Sequence, residues 1–325
     1  MSSLNTNFSK NISIVRPEYF FILGLSGIAY GNYYYVFLFI IYFITVIGNT
    51  TVILIVAINQ SLHSAKYFAM FNMALANIGE TNALIPNMMK TFFSDSQYIS
   101  YNSCLANMFF VYFFIAVQSV TLVVMAYDRF IAICLPLRYH ALVNNNVMSV
   151  VLSVAWAFSA SMVGLLVSLI TQISFCESNV IQSYFCDHAP VLRLACNLSS
   201  IITFIRNLNA VLFFVAPFFI IVLSYIGIFF AVSKITTWEA RLKALKTCVS
   251  HLLLVMSFFL SVMCISIIWS NNSLTSNAGI IITSLAYGIS PMLNPIIYVL
   301  NTVEIKVLIR KVFNNRSANR RNASR

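Results

Sequence analysis

The sequence predicts an all-α membrane protein, a bundle of seven transmembrane helices, and three observations support this fold class. Apolar residues make up 60% of the 325 residues and charged residues only 8%, whereas charged residues are roughly 25% of a soluble domain. Seven apolar segments each approach the roughly 20 residues that a helix needs to cross a bilayer. Of the 19 Lys and Arg residues, fourteen fall on one side of the resulting topology.

The seven apolar segments are predicted to be helices rather than strands. The hydrocarbon core offers no partner to free backbone N–H and C=O groups, so only helices or a closed barrel can cross it. These segments lack the two-residue alternation of barrel strands. The predicted spans are 34–58, 67–92, 105–134, 147–170, 209–233, 247–269 and 279–300. They separate an extracellular N-terminal segment (1–33), a transmembrane domain (34–300) and a cytoplasmic C-terminal segment (301–325).

The basic residues orient these helices with the N-terminus outside. Only five of the 19 Lys and Arg residues then lie outside, in agreement with the positive-inside rule. The net charge of +11 therefore faces the cytoplasm and membrane lipids, and we expect no nucleic-acid binding. Residues 1–31 have no basic region before a short apolar core, so we expect no cleavable signal peptide. Asn7 and Asn11 begin N-X-S motifs on the outer side and are predicted glycosylation sites.

The third span ends in an adjacent acid and base at the inner edge of the membrane. Asp128 and Arg129 lie in the decapeptide MAYDRFIAIC, residues 125–134. Charges at this depth are costly and often functional, although a helix end with an Arg that reaches towards water would explain the pair alone equally well. The whole decapeptide resembles the signature at the inner end of the third helix of odorant receptors, which are rhodopsin-like G-protein-coupled receptors.

Further motifs, in the family's order and spacing, extend this resemblance from about residue 62 to residue 311. LHSAKYF follows the first span, SY ends the fifth, KALKTCVSHL begins the sixth and PMLNPIIY ends the seventh. The chain departs from the usual pattern at Ala65-Lys66 and at Leu245-Lys246. Residues 304–313 then alternate apolar and basic groups in a pattern suited to an amphipathic helix on the anionic inner leaflet. A fish-type odorant receptor is the nearest expected relative.

The outer loop between the fourth and fifth spans contains three cysteines, and Cys104 lies close by at the start of the third span. Four cysteines on the oxidising side allow three pairings, and spacing alone does not choose among them. The loop resembles the second outer loop of odorant receptors, which implies the disulfides Cys104–Cys186 and Cys176–Cys196.

The resemblance implies a multi-pass receptor in the plasma membrane of olfactory sensory neurons. Such a receptor binds a small-molecule odorant in an outer cavity and activates a heterotrimeric G protein of the stimulatory, olfactory type, which raises cyclic AMP. The implied coupling residues are Asp128, Arg129, Tyr225, Lys246, Asn294, Pro295 and Tyr298. The expected ligand-binding residues are Val111, Tyr112, Ile115, Ala116, Arg206, Asn209, Phe213, Phe259, Val262, Ser266 and Tyr287.

Catalysis, cofactor binding and metal binding are not expected. The sequence contains no carboxylate pair, no nucleophile with a base and no glycine-rich phosphate loop. His251 has no partners at the spacing of metal ligands. A transporter is the competing class, because Glu80 and the prolines of the seventh span could line a substrate path; against it, the span number is odd and there is no internal repeat. Within the receptor class, the alternative is a receptor for an endogenous small ligand. An amine is disfavoured because amine receptors place an Asp where this chain has Val111.

Two polar features leave alternatives open. Arg206 lies near the outer mouth of the fifth span, where it could pair with an acidic ligand or face lipid headgroups. Asn77 and Gln118 stand where, by resemblance, carboxylates hold a sodium ion. We expect these amides to hydrogen-bond each other and Asn294, and the receptor to be insensitive to sodium. The alternative is that Glu80, one turn from Asn77, supplies the missing carboxylate.

Overall fold

The computed structural model describes residues 15–24, 31–94, 97–176, 178–270, 276–302 and 304–308. Its helices are α1 (Gly31–Ile58), α2 (Ala65–Ser94), α3 (Tyr101–Cys134), α4 (Tyr139–Leu142), α5 (Asn145–Ile170), α6 (His188–Arg193), α7 (Ser200–Ala210), α8 (Ala216–Ser233), α9 (Trp238–Ser270) and α10 (Ser276–Asn301). The strands are β1 (Tyr19–Ile22), β2 (Tyr98–Ser100) and β3 (Val180–Ile181). The predicted glycosylation sites Asn7 and Asn11 and the basic tail after residue 308 lie outside the described residues.

The long helices form the predicted seven-helix bundle. Within the described residues, six helices are long and apolar enough to cross a membrane. They are α1, α3, α5, α9, α10 and a continuous rod that joins α7, a π-helical segment (Val211–Val215) and α8. The seventh helix is α2, which is 30 residues long but more polar. It carries the buried polar side chains Asn77 and Glu80.

Helix α3 is the central helix of the bundle. It packs against α2, α5, α8 and α9, and more than half of its residues are buried, from Tyr101 at the outer end to Ile131 at the inner end. Ser100 caps its first turn, since the Ser100 hydroxyl accepts the N–H of Ser103 at 3.3 Å. The same helix therefore forms part of both the outer and the inner ends of the bundle.

Two predicted helix boundaries are wrong, because apolar content alone placed them. The fifth span begins at Ser200 rather than residue 209, and the Ser199 hydroxyl accepts the N–H of Ile201 at 3.3 Å as its cap. The sixth span begins at Trp238 rather than residue 247. Its first turns carry charged residues, and hydropathy gives no helix signal in such a stretch.

A small sheet covers the outer end of the bundle, and the sequence did not indicate it. Strand β1 pairs antiparallel with β2 and parallel with β3, which joins the N-terminal segment to two outer loops. Phe20 on β1 is fully buried and lies against Phe175, with ring centroids 5.4 Å apart. Arg16 donates to the carbonyl of Thr171 at 2.7 Å. Burial of the Phe20 ring thus anchors this cover.

The fifth span changes its helical pitch above Pro217. Proline has no N–H, so the carbonyl four residues earlier, that of Phe213, loses its usual donor. The chain passes through the π-helical segment at this point, and the Ser119 hydroxyl of α3 donates to the Phe213 carbonyl. A side chain from the neighbouring helix therefore supplies the missing donor, as polar groups do at interrupted membrane helices.

Candidate functional site

A cavity of about 590 Å³ opens between the outer halves of α3, α5, α9, α10 and the fifth span. Residues 187–189 of the outer loop close one side of it. Nine of the eleven predicted ligand-binding residues line this cavity: Tyr112, Ile115, Ala116, Arg206, Asn209, Phe213, Val262, Ser266 and Tyr287.

Val111 and Phe259, the other two members of the predicted ligand-binding set, are not among the residues that line the cavity. Val111 is fully buried, and it lies about 100° around α3 from Tyr112 because a helix has 3.6 residues per turn. Phe259 packs edge-on against Phe258 and Phe218, with ring centroids 5.2 and 5.4 Å away. Both side chains fill the space between helices instead of facing the cavity.

The cavity wall carries an acidic residue, Asp187, that is not in the predicted ligand-binding set. The Tyr112 hydroxyl donates to Asp187 Oδ1 at 2.6 Å, and the N–H of Ala189 donates to the same oxygen at 3.2 Å. Asp187 is 1% exposed, and its Oδ2 has no hydrogen-bond partner among the described residues. The His188 ring lies edge-on to Tyr112 at 4.5 Å. The one sequence signal was the position of Asp187 directly after Cys186.

Two disulfides hold the loop that carries this acid. The structure has the Cys104–Cys186 and Cys176–Cys196 bonds that the resemblance implies. Asn107 of α3 adds a second anchor: its Nδ2 donates to the Ala83 carbonyl at 2.6 Å, and its Oδ1 accepts the N–H of Cys186 at 3.2 Å. The backbone before Asp187 is thereby fixed to both α2 and α3.

Amides and one acid form the buried polar core below the cavity. Asn294 donates to Asn77 Oδ1 at 3.1 Å, and Asn77 donates to Asn49 Oδ1 at 2.9 Å. The expected contact between Asn77 and Asn294 is therefore present. Gln118 instead donates to Glu80 Oε2 at 2.5 Å, so the expected contact between the amides of Gln118 and Asn77 is replaced by one with the carboxyl group of Glu80.

The inner end of α3 holds its acid and base together. Arg129 Nη2 lies 3.2 Å from Asp128 Oδ2, and the Tyr139 hydroxyl donates to Asp128 Oδ1 at 2.8 Å. Burial is the main cause that raises the pKa of Tyr139. The charge of the neighbouring Asp128 and its hydrogen bond to Tyr139 raise this pKa further. Tyr139 therefore remains a neutral donor, and it ties the loop after α3 to the acid of the motif.

His251 links three helices at the same inner end. Its Nε2 lies 3.1 Å from the Leu122 carbonyl of α3, and its Nδ1 lies 2.9 Å from the Tyr225 hydroxyl of α8. A carbonyl only accepts, so Nε2 must carry the proton and a neutral His251 must accept from Tyr225 at Nδ1. The Cys248 carbonyl of α9, 3.1 Å from the Tyr225 hydroxyl, is a second acceptor that competes for the same hydrogen. From the sequence, His251 was weighed only as a metal ligand, and this contact between helices was not predicted.

The other predicted coupling residues lie on α9 and α10. Lys246 is exposed on the cytoplasmic extension of α9. Pro295 is buried next to Gly48 of α1, where an added Cβ would lie 2.8 Å from the Pro295 ring. Tyr298 is buried, and its hydroxyl has no hydrogen-bond partner among the described residues. These residues thus occupy the inner half of the bundle without forming a single cluster.

A family model described as olfactory receptor matches residues 38–316 of the chain. The chain belongs to the olfactory receptor family. It is 32% identical to Olfactory receptor 8B3 of Mus musculus over 86% of this chain and 87% of that protein. It is 33% identical to Olfactory receptor 1N2 of Homo sapiens over 84% of this chain and 86% of that protein. Squid rhodopsin has a similar fold, with a TM-score of 0.71 and 16% identity over 86% of this chain and 84% of that chain.

The family match confirms the resemblance that the sequence motifs indicated. The similarity to squid rhodopsin confirms the predicted seven-helix fold. This olfactory receptor family member is a multi-pass membrane protein and not an enzyme. Among the described residues, no group of three His, Cys, Asp or Glu is placed to hold a metal ion. The transporter alternative loses its support, because Glu80 is bound to Gln118 in the helix core and does not line the outer cavity.

Proposed function

We propose that this chain is an odorant receptor of olfactory sensory neurons that binds a small molecule in the outer cavity and activates a stimulatory-type G protein. The observation that supports this most is that one helix, α3, contributes both to the cavity wall at Tyr112 and to the inner acid–base pair at Arg129. Ligand binding and G-protein contact would then act on the two ends of the same central element.

The chemistry of the cavity suits a small organic ligand. Its volume of about 590 Å³ is within the range of roughly 300–1,000 Å³ common for such sites. Apolar side chains such as Ile115 and Phe213 line most of it, and a few polar groups, among them Asn209 and Ser266, could orient a ligand. An apolar volatile molecule with one or two polar atoms fits this lining.

Signal transfer requires a change in helix arrangement. Tyr112 and Arg129 are 17 residues apart, roughly 25 Å along a helix at 1.5 Å per residue. No ligand in the outer cavity can touch the inner motif, so coupling needs an element with two arrangements. The ligand must bind the active arrangement better than the resting one, because equal affinity for both shifts nothing.

The inner contacts of α9 are the proposed two-state element. Tyr225 is engaged with His251 and with the Cys248 carbonyl, and Arg129 is engaged with Asp128. Outward movement of the inner end of α9 would release Tyr225 from both partners. Arg129 could then leave Asp128, meet Tyr225 and contact the G protein.

Cells that express the receptor provide the test. Cyclic AMP is measured during exposure to a panel of volatile small molecules, and uptake of the same molecules in labelled form is measured in parallel. The proposal predicts a cyclic AMP rise for at least one of them in wild type and none in Arg129→Ala at matched surface expression. Uptake without a cyclic AMP response would favour the transporter alternative and contradict the proposal.

A further inference from the structure

We propose that the receptor has a second ligand site, a cavity at the inner end of the bundle that opens to the membrane and binds a sterol. The cavity has a volume of about 490 Å³ and lies between α3, α5 and α8. Among the described residues, it shares no lining residue with the outer cavity. The inference goes beyond the proposed function and does not depend on it.

The cavity lies where α5 and the inner part of the fifth span separate. Helix α5 packs against α7, the outer part of that span, and the Phe158 ring of α5 lies 5.8 Å from the ring of Phe213 in the π-helical segment. Further inward, α8 packs against α3 and α9. The Phe130 ring of α3 lies against α8 at Gly227, where an added Cβ would lie 2.6 Å from that ring. Phe130 therefore joins α3 to α8 and forms one wall of the cavity.

The open side of the cavity faces the hydrocarbon of the membrane. Val147, Val151 and Leu223 line the cavity, and their side chains are also exposed on the surface of the bundle. A void of this size would leave the lining atoms without van der Waals partners on one side. In a bilayer, a hydrocarbon group therefore fills the cavity, and the molecule that carries this group comes from the membrane.

The lining selects an uncharged molecule. Among the described residues that border the cavity, none is charged. Ser224 has a hydroxyl, but this hydroxyl donates to the Ile221 carbonyl at 2.7 Å within its own helix. The other hydroxyl in the lining belongs to Tyr127. A carboxylate or phosphate inside the cavity would lose its hydration without gaining a cation, whereas Tyr127 offers a partner to a single hydroxyl group.

The lining also favours a rigid molecule over a flexible acyl chain. Branching at Cβ restricts the rotamers of valine, so walls made of valine keep a fixed shape. Five residues that border the cavity are valines: Val123, Val124, Val143, Val147 and Val151. A flexible acyl chain loses rotational freedom when it fits into a fixed shape, whereas a fused ring system has little to lose. A rigid hydrocarbon with one hydroxyl group is the chemistry of a membrane sterol.

The position of the cavity would let a bound sterol affect signalling. Tyr127 directly precedes Asp128 of the inner acid–base pair, and Ser224 directly precedes Tyr225. Both Tyr127 and Ser224 border the cavity. A sterol that contacts α3 and α8 here favours whichever arrangement of these helices it fits better.

The test uses purified receptor in nanodiscs of phosphatidylcholine that contain a cholesterol analogue with a photoreactive diazirine on its ring system. After illumination, mass spectrometry of peptides locates the label. We expect label on α3 near Tyr127 and on α5 near Val151, and loss of this label when unlabelled cholesterol is in excess. The comparison probe is phosphatidylcholine with the diazirine on its acyl chain, which should label these positions far less.

Val151→Phe fills the cavity from α5, so the label near Tyr127 should fall at least about fivefold, because overpacking opposes sterol binding. Val150→Phe is the matched control and should leave the label unchanged, since Val150 is 63% exposed and does not border the cavity. The melting temperature in sterol-free nanodiscs shows whether each variant is folded. If Val151→Phe does not fold, Leu223→Trp blocks the cavity from α8 and should reduce the label in the same way.

The inference is overturned if the sterol probe does not label the lining in wild type, or if excess cholesterol does not remove that label. An equal loss of label in Val151→Phe and Val150→Phe would also overturn it. Label from the acyl-chain probe at the same positions, not displaced by excess cholesterol, would assign the cavity to phospholipid chains instead. None of these results bears on the proposed function, which is measured separately by cyclic AMP.

Discussion

Replacing Ser119 by Ala should destabilise the helix bundle by about 1 kcal/mol, because the Phe213 carbonyl would lose its donor. Pro217 cannot supply an N–H to that carbonyl, and the Ser119 hydroxyl supplies the hydrogen bond instead. A buried polar group left without a partner costs about 1–3 kcal/mol in soluble proteins. Side-chain hydrogen bonds between membrane helices average about 0.6 kcal/mol, with a maximum near 1.7.

A double-mutant cycle separates this contact from a general packing defect. Pro217→Ala restores an N–H that can reach the Phe213 carbonyl, so Ser119→Ala should cost much less in the Pro217→Ala background than in wild type. Heat unfolding in detergent, at one scan rate for all variants, is the assay. A loss of 1 kcal/mol corresponds to about 2–4 °C in melting temperature for chains of roughly 150–250 residues, and to a smaller shift for a longer chain.

Ser257→Ala is the matched control, because the Ser257 hydroxyl donates at 2.9 Å to Leu254 within its own helix. Its melting temperature should stay close to that of wild type. The reasoning is refuted if Ser119→Ala is as stable as this control, or if the effects of Ser119→Ala and Pro217→Ala simply add.

Three further predictions concern function. Arg129→Ala should abolish agonist-stimulated cyclic AMP and leave surface expression largely intact; a response that persists would show that the motif has another role. Arg206→Gln should weaken agonists that carry a carboxylate and spare neutral agonists, because a charge-assisted bond is lost; an equal loss for both would indicate a folding defect. Agonist potency should not change when sodium is exchanged for an inert cation, because the amides around Asn77 contribute no net charge. A sodium effect in wild type that disappears in Glu80→Gln would show instead that Glu80 supplies the carboxylate of a sodium site.

The spans were predictable from the sequence because membrane insertion is a local requirement. An apolar run of about 20 residues must cross the bilayer wherever it occurs, so the seven segments and their orientation followed without knowledge of packing. The two helix ends that were wrong, at Ser200 and Trp238, lie in stretches that mix polar and apolar residues. There, caps and side-chain contacts decide where a helix begins, and hydropathy does not.

The cavity residues were predictable in part, because the spacing of residues along one helix is also a local property. Residues spaced along one face of α3, such as Tyr112 and Ile115, follow from helical periodicity, and the structure places both on the cavity wall. Asp187 could not be placed in this way, because its position depends on how a long loop folds back under a disulfide. His251 was likewise missed, since its partners Leu122 and Tyr225 are distant in sequence.

The central claim is that a small molecule in the outer cavity activates a stimulatory G protein through the inner end of α3. The most direct measurement is nucleotide exchange on a purified stimulatory G protein, with the receptor in nanodiscs and its strongest agonist from the cell panel. We expect the agonist to accelerate exchange in wild type and to have no effect in Arg129→Ala, although the agonist still stabilises that variant against heat. Equal acceleration in both receptors, or none in wild type despite demonstrated agonist binding, would contradict the account.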